Sequence, residues 1–309
     1  MTEYDVLVLG EINVDLILRA DEIAPVFGQE LLVEDATLTM GSSSVIFACG
    51  AARLGLRVGF VGVVGDDEFG RFMLREIKAR GIDVGPVIVD PTVKTGITVS
   101  LSTATDRALL TYSGSIAALT PERVDRVLFD QARHLHVGSY FLQAGLRDGL
   151  PELLAQARAR GLTTSLDTGW DPGEKWNGGL KETLARTDVF LPNAEEAPAI
   201  TGKADVNAAL AALAEQVPVV AVKLGAEGAV ARRGKEVVRA APPPVQVVDT
   251  TGAGDSFDAG FVCGYLQGWP LERTLRLACA CGALATRQPG GTNGQPTLAE
   301  ALEALNDAP

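Results

Sequence analysis

The residues best suited to chemistry in this chain are 249–255, which read DTTGAGD. A strand pattern ends just before this stretch and an apolar, helix-like segment follows it, so Gly252, Ala253 and Gly254 fall at a helix N-terminus. The first amide groups of a helix have no partner inside it, and the helix dipole adds to their positive potential. Side chains this small let a ligand approach the backbone closely. The stretch therefore predicts an anion-binding turn that suits a phosphoryl group.

Asp255 follows this turn directly, although its negative charge opposes the binding of an anion. A carboxylate in that place is explained by a general base, which takes a proton from an attacking hydroxyl group. The alternative is a glycine-rich turn in which Asp255 is only the N-cap of the helix. Taken alone, the stretch leaves both interpretations open.

The stretch DTTGAGDSF resembles the second signature of the ribokinase-like (PfkB-type) carbohydrate kinases. The fixed positions of that signature are matched by Asp249, Thr250, Gly252, Ala253, Gly254 and Asp255. The resemblance implies that Asp255 is the catalytic base and that the turn before it holds the transferred phosphoryl group. Further matches follow in the family's order along the whole chain.

Two of these matches concern the sugar. GEINVD, residues 10–15, resembles the family's opening strand, whose Asn and Asp bind sugar hydroxyl groups and correspond here to Asn13 and Asp15. The same polar residues would also suit an ordinary turn at a strand end. SYFLQ, residues 139–143, reaches the place where the family presents a polar side chain to the sugar, which makes Gln143 a candidate.

Two other matches concern ATP and Mg²⁺, which the resemblance implies as co-substrate and cofactor. NAEE, residues 193–196, resembles the motif N-x-x-E, so Asn193 and Glu196 are expected to act on the magnesium–phosphate network, Glu196 through water. KLGAEG, residues 223–228, resembles the strand and turn near the triphosphate, with Lys223, Gly225 and Gly228 as candidate contacts. The two glycines would equally suit a plain turn.

The resemblance also implies a monovalent-cation site, which would make K⁺ an activator. Asp249, Thr251 and the loop RQPGGTNG at 287–294 match that site in placement. The same loop, together with the preceding ACACGALAT, is expected to form the adenine pocket.

The first signature departs from the family pattern. It begins at Gly41, but Ser42 replaces the second glycine, Ser43 stands where ribokinases have lysine, and Ile46 stands where the family has asparagine. Losing an ammonium and an amide group would leave some ribose hydroxyl groups unpaired, at about 1–3 kcal/mol each. Ribose is therefore in doubt as the substrate. The serines either supply substitute hydroxyl groups to the sugar or only cap the helix that follows.

The composition excludes several other classes of protein. A net charge of −12 over 309 residues opposes binding to nucleic acid. No apolar run approaches the length of a membrane span, and the N-terminus does not resemble a secretory leader, so we expect a cytoplasmic protein.

The four cysteines lie in apolar surroundings typical of buried thiols. His134 and His136 share one strand face, where a core or pocket-wall role is favoured over a metal site.

The elements that must position these residues alternate between strand and helix patterns. Apolar strand runs separated by helix candidates predict a single α/β/α Rossmann-like sandwich of the ribokinase-like type over residues 1–309. The segments of about 12–39 and 92–115 lack helix patterns and predict a small β-sheet lid, with a hairpin turn at Ala104-Thr105-Asp106. A helix is also predicted over 121–131, where Thr120, Pro121 and Glu122 form a start signal.

Together these features predict ATP-dependent phosphorylation of a sugar hydroxyl group. A nucleoside kinase of the same fold and a non-catalytic ligand-sensing relative are the alternatives. A dinucleotide-dependent oxidoreductase is excluded, because the first strand is followed by GEINVD and not by G-x-G-x-x-G. The expected partners are a small sugar and ATP, and a second copy of the chain that packs against the lid.

Overall fold

The computed structural model describes residues 2–103 and 106–306. The strands are β1 (Val6–Leu9), β2 (Asn13–Arg19), β3 (Asp35–Met40), β4 (Val58–Val61), β5 (Val63–Gly65), β6 (Ile88–Asp90), β7 (Gly96–Ser102), β8 (Arg107–Tyr112), β9 (His134–Val137), β10 (Thr163–Leu166), β11 (Val189–Phe190), β12 (Val219–Lys223), β13 (Ala229–Arg233) and β14 (Glu236–Ala240). The α-helices are α1 (Ser43–Arg53), α2 (Glu68–Ala79), α3 (Ala144–Arg147), α4 (Leu150–Ala159), α5 (Leu180–Leu184), α6 (Glu196–Thr201), α7 (Val206–Leu213), α8 (Ala253–Leu266), α9 (Leu271–Ala285) and α10 (Leu298–Ala304).

Eight strands form the main sheet, in the order β14-β13-β12-β11-β10-β9-β1-β4. The six strands from β12 to β4 are parallel, and β13 and β14 add two antiparallel pairings at one edge. Because parallel strands point the same way, their carboxyl ends lie along one edge of the sheet, where α/β folds bind their ligands. The residues that follow β1, β9, β10 and β11 therefore meet at that edge.

Helices cover both faces of this sheet, so that its strands are apolar on both sides. Alternate residues of β1 enter different cores: Val6 and Val8 pack with α1, α8 and α9, whereas Leu7 and Leu9 pack with α4 and α7. Continuous apolar strands are typical of a parallel sheet buried on both faces. The predicted three-layer α/β/α fold is thus confirmed.

A second sheet of four strands has the order β3-β2-β7-β8. Its strands lie within the two segments predicted to form the lid, and we call it the lid sheet. β2 pairs antiparallel with β3 and parallel with β7, and β7 pairs antiparallel with β8. Ala104 and Thr105 of the predicted hairpin turn lie outside the described residues. That all 309 residues form a single domain stays a prediction.

The predicted helix over 121–131 is wrong, since the structure has two short 3₁₀ segments, Pro121–Arg123 and Arg126–Gln131. Thr120 makes no capping hydrogen bond with its side chain. Val124 adopts extended backbone and is buried, and Asp125 then starts a new turn by accepting from the Val127 amide at 2.9 Å. Packing of Val124 in the core therefore outweighs the local start signal.

Among the described residues, no helix has the combined length and apolar character that crossing a bilayer would require. The expected cytoplasmic location stays a prediction.

Candidate active site

The predicted anion-binding turn lies at the N-terminus of α8, which begins at Ala253. Gly252 is the N-cap, with a left-handed φ of 73° and no side-chain capping bond. A Cβ atom at Gly252 would lie 2.7 Å from Gly291 Cα and 2.9 Å from Ile46 Cγ2, so glycine is required by both conformation and space. The apolar Ile46, which departs from the family pattern, thus packs directly beneath this turn.

Asp255 is not the cap of α8, because the helix starts two residues before it. The N-cap interpretation of Asp255 is therefore wrong, and its carboxyl group is left for another role. The side chain is half-buried next to the exposed Gly254. Burial raises the pKa of Asp255 to about 8, with a further increase from the negative charges of Asp167 and Glu11.

A buried ion cluster lies beneath the turn and consists of Asp167, Lys223 and Asp258. Lys223 Nζ donates to Asp167 Oδ2 at 2.5 Å and to the two carboxyl oxygens of Asp258 at 3.1 and 3.0 Å. Asp167 follows β10, Lys223 ends β12, and Asp258 lies three residues after Asp255 in α8. The motif analysis named Lys223 but missed Asp258, for which the only signal is a charged residue within an apolar helix.

Burial and the charges within the cluster shift the pKa values of all three of its members. Burial opposes charge on Asp167, but the ammonium group of Lys223 holds the pKa of Asp167 down to about 2. Burial by itself would lower the pKa of Lys223, and Asp167 and Asp258 raise it above its ordinary value. Burial raises the pKa of Asp258 well above its ordinary value, although Lys223 opposes this.

Lys223 was predicted to contact the phosphates, and in the structure its ammonium group is bonded to the carboxyl groups of Asp167 and Asp258. A Cβ atom at Gly254 would lie 3.7 Å from Lys223 Nζ, so the ammonium group lies directly behind the turn. Its contact with phosphate stays a prediction.

Asn193 and Glu196 lie after β11 and bond to each other at the start of α6. Glu196 Oε2 accepts from the Asn193 amide at 2.8 Å, and Asn193 Oδ1 accepts from the amides of Glu195 and Glu196 at 2.8 and 2.9 Å. Burial and the charge of Asp167 raise the pKa of Glu196 to about 7. A carboxylate and an amide oxygen are ligand types that Mg²⁺ prefers, so this pair fits a water-mediated magnesium site.

Gly225 and Gly228 lie in the turn between β12 and β13. Gly228 has a φ of 88°, and a Cβ atom there would lie 2.0 Å from the Ala240 carbonyl oxygen. Gly225 has a φ of 60° and open space around it. Both glycines are required by backbone conformation, and their proximity to the triphosphate stays a prediction.

Asp249 joins the signature turn to the loop at 287–294. Its Oδ1 accepts from the amide and the hydroxyl group of Thr251 at 2.9 and 2.7 Å, and its Oδ2 accepts from the Gly290 amide at 2.8 Å. Despite its burial, these bonds hold the pKa of Asp249 below its ordinary value. Arg107 of the lid sheet donates to Thr251 Oγ1 at 2.8 Å. The two segments predicted for a monovalent cation and for adenine are thus in contact.

The predicted sugar-binding residues lie where the lid sheet meets the start of α1. Asn13 Nδ2 donates to Asp15 Oδ1 at 3.0 Å, and a Cβ atom at Gly41 would collide with both side chains. Burial raises the pKa of Asp15 to about 6, although the charge of Arg107 opposes this. Asn13 and Asp15 therefore form one polar group, which lies directly against the backbone of Gly41.

Ser42 is the N-cap of α1 and has a left-handed φ of 75°. Its hydroxyl group accepts from the Val45 amide at 3.0 Å and lies 2.6 Å from the Glu11 carbonyl oxygen and 2.9 Å from Glu11 Oε1. The capping interpretation of Ser42 is thus confirmed. Ser43 was also predicted to contact the sugar. Its side chain hydrogen-bonds to Asp255, and this bond opposes the rise in the pKa of Asp255.

Glu11 was missed by the motif analysis, although it is a charged residue two positions after the buried strand β1. Its carboxylate accepts from the hydroxyl groups of Ser42, Ser44 and Ser139 at 2.9, 2.5 and 3.0 Å. Glu11 is 2 % exposed, so it joins β1, α1 and the end of β9 from within.

Gln143, predicted to contact the sugar, is 1 % exposed. Its amide group donates to the carbonyl oxygens of Gly138 at 2.5 Å and Leu9 at 3.5 Å, and Oε1 is buried without a protein partner. Because the side chain has almost no accessible surface, we assign it a structural role between β1 and β9 and not a contact with substrate.

His134 and His136 are core residues. Their ring nitrogens bond to Thr163 and Ser165 at 2.7–2.8 Å, and burial lowers both pKa values to about 3. His136 also stacks on Phe47, with the ring centroids 3.6 Å apart. In the described part of the chain, no group of three or more His, Cys, Asp or Glu side chains has the arrangement of a metal site.

Comparison with known proteins supports the same fold and family. The pfkB family carbohydrate kinase pattern matches residues 4–298. Similar proteins include the 2-dehydro-3-deoxygluconokinase of Bacillus subtilis, 32 % identical over 81 % of this chain and 81 % of that protein. The ATP-dependent ribose-1-phosphate kinase of Halopiger xanaduensis is 30 % identical over 97 % of both chains.

Two solved structures share the whole architecture. A putative ribokinase II from E. coli, in complex with ATP and Mg²⁺, is 26 % identical, with a TM-score of 0.85 over 98 % of this chain and 99 % of that one. The adenosine kinase of Sinorhizobium meliloti is 29 % identical, with a TM-score of 0.85 over 99 % of this chain and all of that one.

Proposed function

The chain belongs to the pfkB family of carbohydrate kinases, and we propose that Asp255 is the general base of an ATP-dependent transfer to a sugar hydroxyl group. The observation that carries this proposal is the position of Asp255 in the first turn of α8. There it adjoins the amide groups that suit a phosphoryl anion, and it is not required as the helix cap. Base and anion site adjoin because removing the proton and receiving the phosphoryl group involve the same oxygen.

The other residues divide into two groups around Asp255. Asn13 and Asp15 hold the acceptor hydroxyl groups beneath the lid sheet, and Asp255 takes the proton as the acceptor oxygen bonds to phosphorus and ADP leaves. The amides of 252–255 stabilise the charge on the transferred group. ATP with Mg²⁺ supplies the phosphoryl group, as the complex of the E. coli relative supports, and Asn193 and Glu196 would hold the Mg²⁺ through water.

The substitution Asp255→Asn tests this role, since it keeps the shape of the side chain and removes its basicity. We expect kcat to fall by about 10²–10⁴-fold while ATP binding, measured by calorimetry, changes little. Asp66→Asn is the matched control, because Asp66 is exposed and pairs with Arg71 on the surface. Wild-type turnover in Asp255→Asn would refute the assignment.

A nucleoside kinase of the same fold is the second candidate, supported by the similarity to the adenosine kinase of Sinorhizobium meliloti. It would use the same phosphate residues and differ in the acceptor pocket. ATP consumption with sugars and with adenosine separates the two. A ligand-sensing relative needs no base, so acceptor-dependent ATP consumption that is lost in Asp255→Asn excludes it.

Activation by K⁺ is a further part of the proposal. Asp249 and Thr251 form a compact turn against Gly290, which supports a cation site built from carboxylate and backbone oxygens. We expect higher turnover in K⁺ than in an equal concentration of tetramethylammonium, and equal rates would contradict the site.

A further inference from the structure

The predicted acceptor end of the site concentrates carboxyl groups. Glu11, Asp15 and Asp255 come from the end of β1, from β2 and from α8. Asp15 packs against Gly41, and the neighbouring Ser42 is bonded to Glu11, so these carboxyl groups lie close together. Beyond the effect of burial, the charge of Glu11 raises the pKa of both Asp15 and Asp255. Asp15 and Asp255 are partly exposed, whereas Glu11 is 2 % exposed and acts through its charge.

Lys223 and Arg107, two cations that act on these carboxyl groups, already have protein partners. Lys223 is bonded to Asp167 and Asp258. Arg107 donates to Thr251 on the phosphate side, and its charge acts on Asp15 and Asp249. A carboxylate or phosphate on the acceptor would have to compete with these acids for its counter-charge.

The directions of the hydrogen bonds at this end of the site also disfavour an anionic ligand. The hydroxyl group of Ser42 directs its proton to Glu11, as do those of Ser44 and Ser139. The amide nitrogen of Asn13 donates to Asp15 Oδ1 at 3.0 Å and to the Val14 carbonyl at 3.3 Å. The remaining capacity of these groups is that of acceptors. Acceptors pair with the O–H groups of a ligand, and an ionised carboxylate or phosphate group offers none.

We propose that the acceptor is an uncharged polyhydroxy compound, a neutral sugar or the ribose of a nucleoside, and that the site discriminates against sugar acids and sugar phosphates. This inference rests on the proposed function and narrows it. It separates the chain from two similar proteins, because the names of the B. subtilis and H. xanaduensis kinases specify an acid and a phosphate ester.

The test compares neutral and anionic acceptors at saturating MgATP. The pairs are ribose with ribose 1-phosphate and fructose with 2-dehydro-3-deoxygluconate, and adenosine is a further neutral acceptor. We expect the best neutral compound to exceed the best anionic one in kcat/KM by at least about 100-fold, because like charges placed side by side are strongly disfavoured. A higher kcat/KM for either anionic compound would overturn the inference and leave the kinase function intact.

Two variants examine the cause of the discrimination. Asp15→Asn and Glu11→Gln each remove one negative charge, and in each we expect the neutral-to-anionic ratio of kcat/KM to fall by about tenfold or more. Asp130→Asn is the matched control, since it makes the same charge change at an exposed residue paired with Arg160. An unchanged ratio in both site variants would contradict the electrostatic explanation.

Calorimetric binding of the same pairs to the wild-type protein keeps this inference separate from the proposed function. If no acceptor is phosphorylated, the proposed function fails, whereas the binding preference still decides the inference. Tighter binding of the neutral compounds supports it, and tighter binding of the anions refutes it.

Discussion

At the scale of residues, Asp255 has to be ionised before it can accept a proton, and its surroundings oppose that ionisation. Burial, Asp167 and Glu11 raise its pKa to about 8, and Lys223 acts in the opposite direction. Because the folded-state pKa is raised, the protonated form dominates at pH 7, and roughly one tenth of the molecules carry the base. The base becomes available only as the pH rises through that value.

We therefore predict that kcat/KM increases with pH along an acid limb centred near pH 8, far above the range of an ordinary carboxyl group. Lys223→Met removes the cation that favours ionised Asp255, so this limb should move to higher pH. A pH–rate profile measures both, with Lys235→Met as the control because Lys235 is exposed in the turn between β13 and β14. A limb that does not move in Lys223→Met would show that the buried ion cluster does not act on the base.

At the scale of elements, one hydrogen bond joins the lid sheet to the signature turn. Arg107 begins β8 and its guanidinium group donates to Thr251 Oγ1, 144 residues further along the chain, at 2.8 Å. Since Thr251 is also bonded to Asp249, the lid is connected to the turn that precedes α8. This contact connects the lid sheet, whose strand β2 carries Asn13 and Asp15, to the turn before α8.

We predict that Arg107→Met and Thr251→Val each raise KM for the acceptor by about 2–10-fold, which is the effect of losing one exposed charged hydrogen bond. The double variant should be no worse than either single one, because both remove the same contact. Arg19→Met is the control, since Arg19 is exposed at the end of β2. Steady-state kinetics measure these effects, and additive losses would argue against a shared contact.

At the scale of the whole molecule, exposed apolar side chains concentrate on the lid. More than half of the large apolar residues that are exposed in the described part of the chain belong to residues 12–39 and 92–115. Phe27, Leu32, Leu109 and Leu110 are each more than half exposed. An apolar surface of this kind is typical of a protein contact.

We predict a homodimer in which the lids of two copies cover each other's apolar surface. Sedimentation equilibrium should give twice the mass of the 32.4 kDa chain. The variant Leu109→Glu with Leu110→Glu should dissociate the dimer, whereas Val237→Glu, exposed on β14 away from the lid, should leave it intact. A monomeric wild-type protein at micromolar concentration would refute the prediction.

The sequence determined the features that depend on neighbouring residues. Continuous apolar runs specify strands buried on both faces, and Gly252 at positive φ specifies the turn at which α8 begins. The order of the motifs along the chain therefore predicted the fold and pointed to Asp255 as the candidate base. The helix start signal at Thr120 led to a wrong prediction of a helix over 121–131. The helix is interrupted by the buried Val124, whose burial depends on the core around it.

Only the tertiary structure decided which charges are available. Asp167 follows β10 and Lys223 ends β12, two strands that are separated by β11 in the main sheet, and Asp258 comes from α8. Their contact therefore cannot be read from the sequence. Glu11 likewise meets serines from α1 and the end of β9. Pairing and desolvation depend on distances across the fold, and these distances decide which of the many carboxyl groups in a chain of net charge −12 are paired and which have raised pKa values.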